Sequence, residues 1–203
     1  MRSLLAILLG FAILMGSDDA FARSRKKKPT MLEQAAKAVS DAMVAAPKDK
    51  EVCFSPIEPC DVKLTKLIQS AQRSIDVAIY DINREELVHQ LLLASRRIPV
   101  RILFDRRQAA GSHSSVNTLI KGGAQVRYGS QRGIMHNKFT IVDGNMVETG
   151  SFNYTKHASE ANNENQVYLA DPSIVARFQK RFEQIWSEGD VAGDRGLATK
   201  SSE

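Results

Sequence analysis

Residues 134–154 decide the fold, and they read Ile-Met-His-Asn-Lys-Phe-Thr-Ile-Val-Asp-Gly-Asn-Met-Val-Glu-Thr-Gly-Ser-Phe-Asn-Tyr. Two runs rich in β-branched residues flank Asp143-Gly144. Such a pair between two β-rich runs is a strong signal for a tight hairpin turn. We therefore predict two antiparallel strands joined at Asp143-Gly144.

Polar side chains occur at the open end of this predicted hairpin. Side chains alternate between the faces of a strand, so His136 and Lys138 point the same way, as do Ser151 and Asn153. A two-residue turn places Lys138 opposite Thr149 and His136 opposite Ser151. A turn shifted by one residue places His136 opposite Asn153 and Lys138 opposite Ser151. Under either register the four polar side chains converge on one patch.

The residue types in this patch suit phosphate chemistry. The imidazole of His136 can act as a nucleophile or a proton donor near neutral pH. The ammonium of Lys138 supplies charge for phosphate oxygens. The hydroxyl of Ser151 and the amide of Asn153 add neutral donors for an oxyanion. Carboxylates suited to a divalent cation do not cluster here, so we expect neither a metal nor another cofactor.

Asp143 is predicted to be structural. It lies five residues beyond Lys138, or roughly 16 Å along a strand. That distance and its place in the turn argue against a role as acid or base.

Strands and helices alternate on either side of the hairpin. Strands are predicted at 74–82, 100–104 and 124–128, and helices at 60–71, 85–97, 115–121 and 171–186. This alternation indicates an α/β layered fold whose first half is largely parallel. An alanine-rich helix is predicted at 31–46.

The full spacing resembles the signature of the phospholipase D superfamily. His136-x-Lys138, four residues, Asp143, six residues and Gly150-Ser151-x-Asn153 match it. The resemblance implies a layered mixed β-sheet flanked by helices, with a catalytic domain at 52–188 and Gly150 as a structural member of the motif. It also implies that Glu164 hydrogen-bonds the histidine and fixes its orientation.

The chain carries one copy of the motif, whereas larger members of the superfamily carry two. The family's ping-pong reaction uses one histidine to attack phosphorus and a second to protonate the leaving oxygen. A single motif implies that the second histidine comes from a homodimer partner across a two-fold axis. In this, the chain resembles the small bacterial endonucleases of the superfamily.

The ends of the chain indicate export. Residues 1–22 carry a positive start, an apolar run and the small-x-small pattern Ala20-Phe21-Ala22, typical of a cleaved signal peptide. A periplasmic or secreted protein without stable membrane insertion after cleavage is predicted. Residues 23–51 are predicted to be a basic linker with the helical segment, and 189–203 a flexible tail. In an oxidising compartment Cys53 and Cys60 can form a local disulfide, although two separate thiols are the alternative.

Three functions compete. The formal net charge of +5 over 203 residues favours a polyanionic partner, and a non-specific endonuclease acting on DNA, with RNA as a further candidate substrate, fits best. Its groove could be bordered by Arg106, Arg107, Arg127 and Arg132. The alternative is a phospholipase D or cardiolipin-type lipid hydrolase, which requires exposed apolar segments near the groove, and no strong candidate segment is evident. A non-catalytic anion-binding module is disfavoured by the complete set of reactive residues.

Overall fold

The computed structural model describes residues 28–129 and 133–192. Within these residues one sheet of eight strands is flanked by helices. The strands are β1 (Glu51–Ser55), β2 (Ile75–Ile79), β3 (Val100–Phe104), β4 (Gln125–Tyr128), β5 (Phe139–Val142), β6 (Met146–Gly150), β7 (Glu164–Leu169) and β8 (Asp190–Val191). The helices are α1 (Met31–Met43), α2 (Cys60–Ser70), α3 (Glu85–Ser95), α4 (Arg106–Ala109), α5 (Val116–Lys121), α6 (Lys156–Glu160) and α7 (Pro172–Glu188).

The sheet is mixed, in the order β1-β7-β6-β5-β2-β3-β4-β8. Strands β2, β3 and β4 are parallel, and the remaining pairs are antiparallel. Every residue of the central strand β2 is buried, as expected for a strand covered by helices on both faces. The predicted α/β fold with a parallel first half is confirmed.

Apolar side chains pack on both faces of the sheet. On one face α2, α3 and α5 cover alternate strand residues such as Val77 and Ile79. On the other face α7 packs against Ala78 and Phe139 through residues that include Phe182. Each large side chain buried in this way contributes about 1.5–3 kcal/mol. The two layers hold the strand ends, where the polar motif lies, in a rigid frame.

The N-terminal helix α1 begins at a capping box in which Thr30 and Glu33 satisfy each other's backbone N–H groups. It ends at Met43, earlier than the predicted boundary at 46. The predicted signal peptide, 1–22, lies outside the described residues. No helix in the described part of the chain is long and apolar enough to cross a membrane.

The predicted flexible tail needs one correction. Its first residues are ordered, because Asp190 and Val191 form β8 and pair with Tyr128 and Arg127 of β4. Ala192 donates its N–H to the carbonyl of Val126 and is buried. The sheet edge beside β4 provides these partners, so the ordered domain extends to residue 192.

The predicted disulfide is present between Cys53 on β1 and Cys60 at the start of α2, with Cα atoms 5.7 Å apart. It closes a loop of six residues. Both sulfurs are buried against the face covered by α2. The bond therefore fixes this loop to the core.

Candidate active site

The hairpin has a different register from both predicted ones. Val142 pairs with Met146, so Asp143, Gly144 and Asn145 form a three-residue turn. Asp143 and Gly144 both have left-handed backbone conformations, with φ of 55° and 67°. These two left-handed residues allow the longer turn, and glycine adopts such a conformation without steric cost. The predicted face-to-face pairs of polar residues are therefore wrong by one position.

The four polar residues still lie at one end of the hairpin, for a different reason. Strand β5 begins at Phe139 and β6 ends at Gly150, so His136, Lys138, Ser151 and Asn153 lie just outside the paired segments. The N–H of Gly150 and the hydroxyl of Thr149 both donate to the carbonyl of Lys138, at 3.4 and 3.0 Å. Convergence thus comes from position at the open end, not from strand alternation.

Gly150 is required by close packing between strands. A Cβ atom at this position would collide with the backbone carbonyl of Asn165 on β7. Any other residue would push β6 away from β7 where the site begins. The structural role predicted for Gly150 is consistent with this contact.

Tyr80 holds the first half of the motif. Its ring meets the imidazole of His136 edge-on, with centroids 4.7 Å apart. The Nζ atom of Lys138 lies 5.4 Å from the centre of the same ring, within cation–π range. The Tyr80 hydroxyl accepts a hydrogen bond of 2.8 Å from Nε2 of Gln108. One aromatic ring thus contacts both His136 and Lys138.

Sequence reasoning missed Tyr80. A usable signal existed, because Tyr80 directly follows the buried strand β2, and ligands in α/β sheets gather at the carboxyl ends of such strands.

Lys138 and His136 differ sharply in exposure. The Lys138 side chain is buried, and Nζ donates to the carbonyl of His136 at 3.0 Å. Burial lowers the pKa of Lys138, and the charge of Glu164 partly offsets this. His136 is exposed. The site therefore offers an open imidazole next to an enclosed ammonium group, whose charge is poorly screened by water.

Ser151 and Glu164 form the second half of the site. The Ser151 hydroxyl donates to the carboxylate of Glu164 and accepts the N–H of Asn165 at 3.1 Å. The other carboxylate oxygen of Glu164 accepts from Nδ2 of Asn162 at 3.0 Å. The expected hydrogen bond from His136 to Glu164 is not formed; the carboxylate accepts instead from Ser151 and Asn162. Glu164 nevertheless lies at the site, as predicted.

The Asn153 side chain has unused hydrogen-bonding capacity. Its Oδ1 atom is buried and has no partner within the described residues. A buried polar atom without a partner costs about 1–3 kcal/mol. A ligand that donates a hydrogen bond to Oδ1 would recover part of this cost.

A buried network lies beneath the site. Tyr154, fully buried, hydrogen-bonds Thr140 and donates to Glu148 at 3.4 Å. Burial raises the pKa of Glu148 to about 8, although hydrogen bonds from Tyr154 and Thr140 oppose the rise. The backbone of Tyr154 also contacts Asp81, which follows β2. These contacts join the exits of β2 and β6, where Tyr80 and Asn153 lie.

Asp143 is held at the opposite end of the hairpin. Its carboxylate accepts the backbone N–H groups of Gln72, Arg73 and Ser74 at 2.6–3.1 Å. Burial opposes its ionisation, but these donors outweigh it and hold the pKa of Asp143 below its ordinary value. The contacts support the predicted structural role.

The predicted groove arginines have different surroundings. Arg106 pairs with Asp190 and lies over the ring of Tyr128. Arg127 donates to the carbonyl of Trp186 at 2.6 Å. Both are thus engaged in structural contacts. Arg107 is exposed, and Arg132 lies outside the described residues.

The described residues contain one cluster of potential metal ligands, formed by Cys53, Glu58 and Cys60. Its two sulfurs are joined in the disulfide, so the cluster cannot supply thiolate ligands.

Comparisons with known proteins agree with this geometry. Residues 64–186 match the family described as "Cardiolipin synthase, PLD-like domain". A mitochondrial cardiolipin hydrolase from Xenopus laevis is 35% identical over 144 residues, which cover 69% of each protein. A phospholipase D from Rickettsia conorii is 32% identical, over 62% of this chain and 64% of that protein.

A solved structure agrees as well. The phospholipase D family member Nuc from Salmonella typhimurium superposes with a TM-score of 0.66 at 32% identity. The match covers 70% of this chain and 95% of Nuc. The family match spans more than half of the chain. It contains the whole motif together with Tyr80 and Glu164. The chain belongs to the phospholipase D-like family and is a phosphodiesterase of that superfamily.

Proposed function

We propose that the protein is a metal-independent, non-specific endonuclease that cleaves DNA, with RNA as a second substrate to be tested. One observation carries the proposal: the exposed imidazole of His136 lies beside the enclosed ammonium of Lys138, and both rest on Tyr80. An exposed nucleophile is accessible to a phosphate within a long polymer. The enclosed cation supplies poorly screened charge for its oxygens.

In the proposed reaction, a nitrogen of His136 attacks phosphorus and the bond to the leaving oxygen breaks. A second histidine gives its proton to that oxygen. Water then attacks phosphorus and gives its proton to the second histidine, and the phosphorus–nitrogen bond breaks, which returns the imidazole of His136. Lys138 and the Nδ2 group of Asn153 are suited to stabilise the charge on the non-bridging oxygens, and Ser151 joins them when its hydroxyl turns from Glu164 to the phosphate. The proposed cycle therefore uses no metal ion.

The second histidine is proposed to come from a partner copy in a homodimer. His89, His113 and His157, the other histidines in the described part of the chain, are exposed and make no hydrogen bond or ring contact with His136. A two-fold axis beside the open imidazole would bring two His136 side chains to one phosphate.

Export to the periplasm or the medium is part of the proposal. It rests on the signal-like residues 1–22 and on the disulfide, which persists in oxidising compartments.

Lipid hydrolysis is the second candidate, and the structure adds an observation in its favour. No exposed apolar segment near the site was evident from the sequence, but Phe54 is 51% exposed and Ile57 is 86% exposed. Ser55, beside Phe54, pairs with Glu164. Relatives named cardiolipin hydrolase are consistent with this candidate.

A paired assay distinguishes the two candidates. The exported protein is incubated in EDTA with supercoiled plasmid, and separately with cardiolipin vesicles, beside His136→Ala and the control His89→Ala, which changes an exposed histidine on α3. We expect plasmid cleavage by wild type and the control, and none by His136→Ala. Release of phosphatidic acid without plasmid cleavage would overturn the nuclease proposal.

Sedimentation at assay concentrations tests the shared site. We expect a dimer, and a fully active monomer would contradict a histidine supplied by a partner.

A further inference from the structure

Two exposed apolar residues lie on the loop that the disulfide closes, beside the site. Phe54 is on β1, and its ring is on the opposite face from the buried residues Cys53 and Ser55. Ile57 is at the tip of the loop. The N–H of Phe54 donates to the carboxylate of Glu58, and the N–H of Glu58 donates to the carbonyl of Phe54. The loop is thus closed both by the Cys53–Cys60 bond and by these two hydrogen bonds.

The loop connects directly with the site. Phe54 pairs with Asn165 of β7, so their side chains are neighbours on one face of the sheet. Asn165 is exposed, and its Nδ2 atom lies 3.4 Å from the hydroxyl of Ser151. Helix α7 packs on the same face near Phe139 and leaves Phe54 exposed. A continuous surface therefore runs from Phe54 to Ser151.

The distance to the reacting groups suits a polymeric substrate. The start of β5, next to Lys138, is three strand spacings from β1, or about 14 Å. A nucleic acid strand whose phosphate contacts Lys138 would pass Phe54 within a few nucleotides.

The charge of the loop argues against an anionic lipid surface as its partner. Residues 51–60 contain no lysine or arginine and include Glu51 and Glu58. Glu51 is paired with Lys63, and Glu58 accepts the N–H of Phe54. Both are carboxylates, so residues 51–60 hold no group that attracts an anionic headgroup. Membrane docking at anionic surfaces relies on basic residues beside the apolar ones. The face of a nucleobase is uncharged and stacks on an aromatic ring regardless of sequence.

We propose that Phe54, bordered by Ile57, is a stacking platform for an unpaired nucleobase near the scissile phosphate. The inference rests on the proposed nuclease function and adds a preference for single strands. In a duplex both faces of each base are already stacked, so Phe54 can contact only an unpaired or displaced base.

Kinetics on matched oligonucleotides test the platform. The substrates are one fluorescent single strand, the same strand in a duplex, and a set of single strands carrying one abasic position each. The variants are Phe54→Ala, Phe54→Trp and the control Val52→Ala. Val52 lies on the same face of β1, two residues further from Glu164, and is 43% exposed.

We expect Phe54→Ala to raise KM for the single strand about tenfold, as for loss of one stacked base. Its kcat and its KM for the duplex should stay within about twofold, since the reacting groups are unchanged. Phe54→Trp should retain the wild-type KM, which also shows that the loop tolerates substitution, and Val52→Ala should have no effect. With the wild type, an abasic site at one position of the strand should raise KM by the same factor. Phe54→Ala should show no further rise in KM with that substrate.

An equal loss on single strand and duplex, or the absence of a sensitive abasic position, would overturn the platform. So would a Phe54→Ala defect confined to cardiolipin vesicles, which would assign the loop to lipid. Binding of the same strands to His136→Ala, with and without Phe54→Ala, separates this inference from the proposed function. Weaker binding on loss of Phe54 supports the platform even if no cleavage is seen, whereas unchanged binding overturns it.

Discussion

The two ends of the β5–β6 hairpin carry residues of one motif but are built differently. At the turn, the carboxylate of Asp143 accepts hydrogen bonds from backbone N–H groups of the segment before β2. At the open end, His136 is exposed, and the buried Oδ1 of Asn153 has no partner within the described residues. The difference teaches that a satisfied polar group supports the fold, whereas unused hydrogen-bonding capacity is available to a ligand.

The open end of the hairpin also differs from the turn because it encloses a charged side chain. Lys138 is enclosed and its pKa is lowered by burial, which costs stability. Its Nζ atom contacts the carbonyl of His136 and the ring of Tyr80, which both belong to the site. We infer that this charge is retained for chemistry.

Among substitutions beside the nucleophile, loss of the Lys138 charge should lower kcat the most. Lys138→Met keeps an unbranched side chain, one atom shorter, and removes the cation over Tyr80. We expect kcat for plasmid cleavage to fall by about 10²–10³-fold, as for loss of one group that stabilises transition-state charge. The thermal midpoint should hold or rise, since a buried charge is removed. A fall in stability with unchanged kcat would show that Lys138 is structural.

Loss of the Tyr80 ring should cause the next largest fall in kcat. Tyr80→Ala removes the contact with both His136 and Lys138, and we expect kcat to fall about tenfold through misplacement of the nucleophile. Tyr80→Phe loses only the hydrogen bond from Gln108 and should stay within about threefold of wild type.

The split between kcat and stability separates positioning by Tyr80 from a merely structural role. Tyr80→Ala should lower kcat with KM within about twofold, and Tyr80→Phe should restore kcat. An unchanged kcat in Tyr80→Ala, with lower stability, would contradict positioning.

The smallest effect on cleavage should come from the buried carboxyl of Glu148 beneath the site, whose effect is on stability. The pKa of Glu148 is about 8 in the folded protein and near 4.5 when solvated, so the folded state binds this proton more tightly. The free energy of unfolding should therefore fall as the pH rises from about 4.5 to 8, with the full penalty above 8. Glu148→Gln removes the ionisation and should flatten this dependence.

Thermal melts at several pH values check the Glu148 effect. The advantage of Glu148→Gln over wild type should be greatest above pH 8 and should shrink towards pH 5. An advantage that is constant with pH would mean that Glu148 does not ionise in this range.

Much of the fold was predictable because its strands have strong local patterns. Strand β3 matches its predicted bounds, and β2 lies within its predicted range. The short strand β8 was missed because two residues carry little local signal and pair only through the edge beside β4. The hairpin register was wrong because it depends on the left-handed conformations of Asp143 and Gly144 together.

The site was predictable in its members and less so in its contacts. His136, Lys138, Ser151 and Asn153 lie at one end of the hairpin, and Glu164 bonds Ser151. Tyr80 was missed because it is distant in sequence and has no motif of its own. The partners of Glu164 could not be foreseen, since they depend on where β7 and the loop holding Asn162 place their donors.

The comparison between His136→Ala and Asp143→Ala tests the central claim most directly. The initial rate of plasmid cleavage and the urea-derived free energy of unfolding are measured for both variants at one pH. We predict that His136→Ala loses activity by about 10³-fold or more, as for a covalent nucleophile, with stability within about 0.5 kcal/mol of wild type. Asp143→Ala should lose about 1–3 kcal/mol of stability yet keep most of its activity while folded. An active His136→Ala protein, or a stable but inactive Asp143→Ala protein, would contradict the division between a chemical end and a structural end.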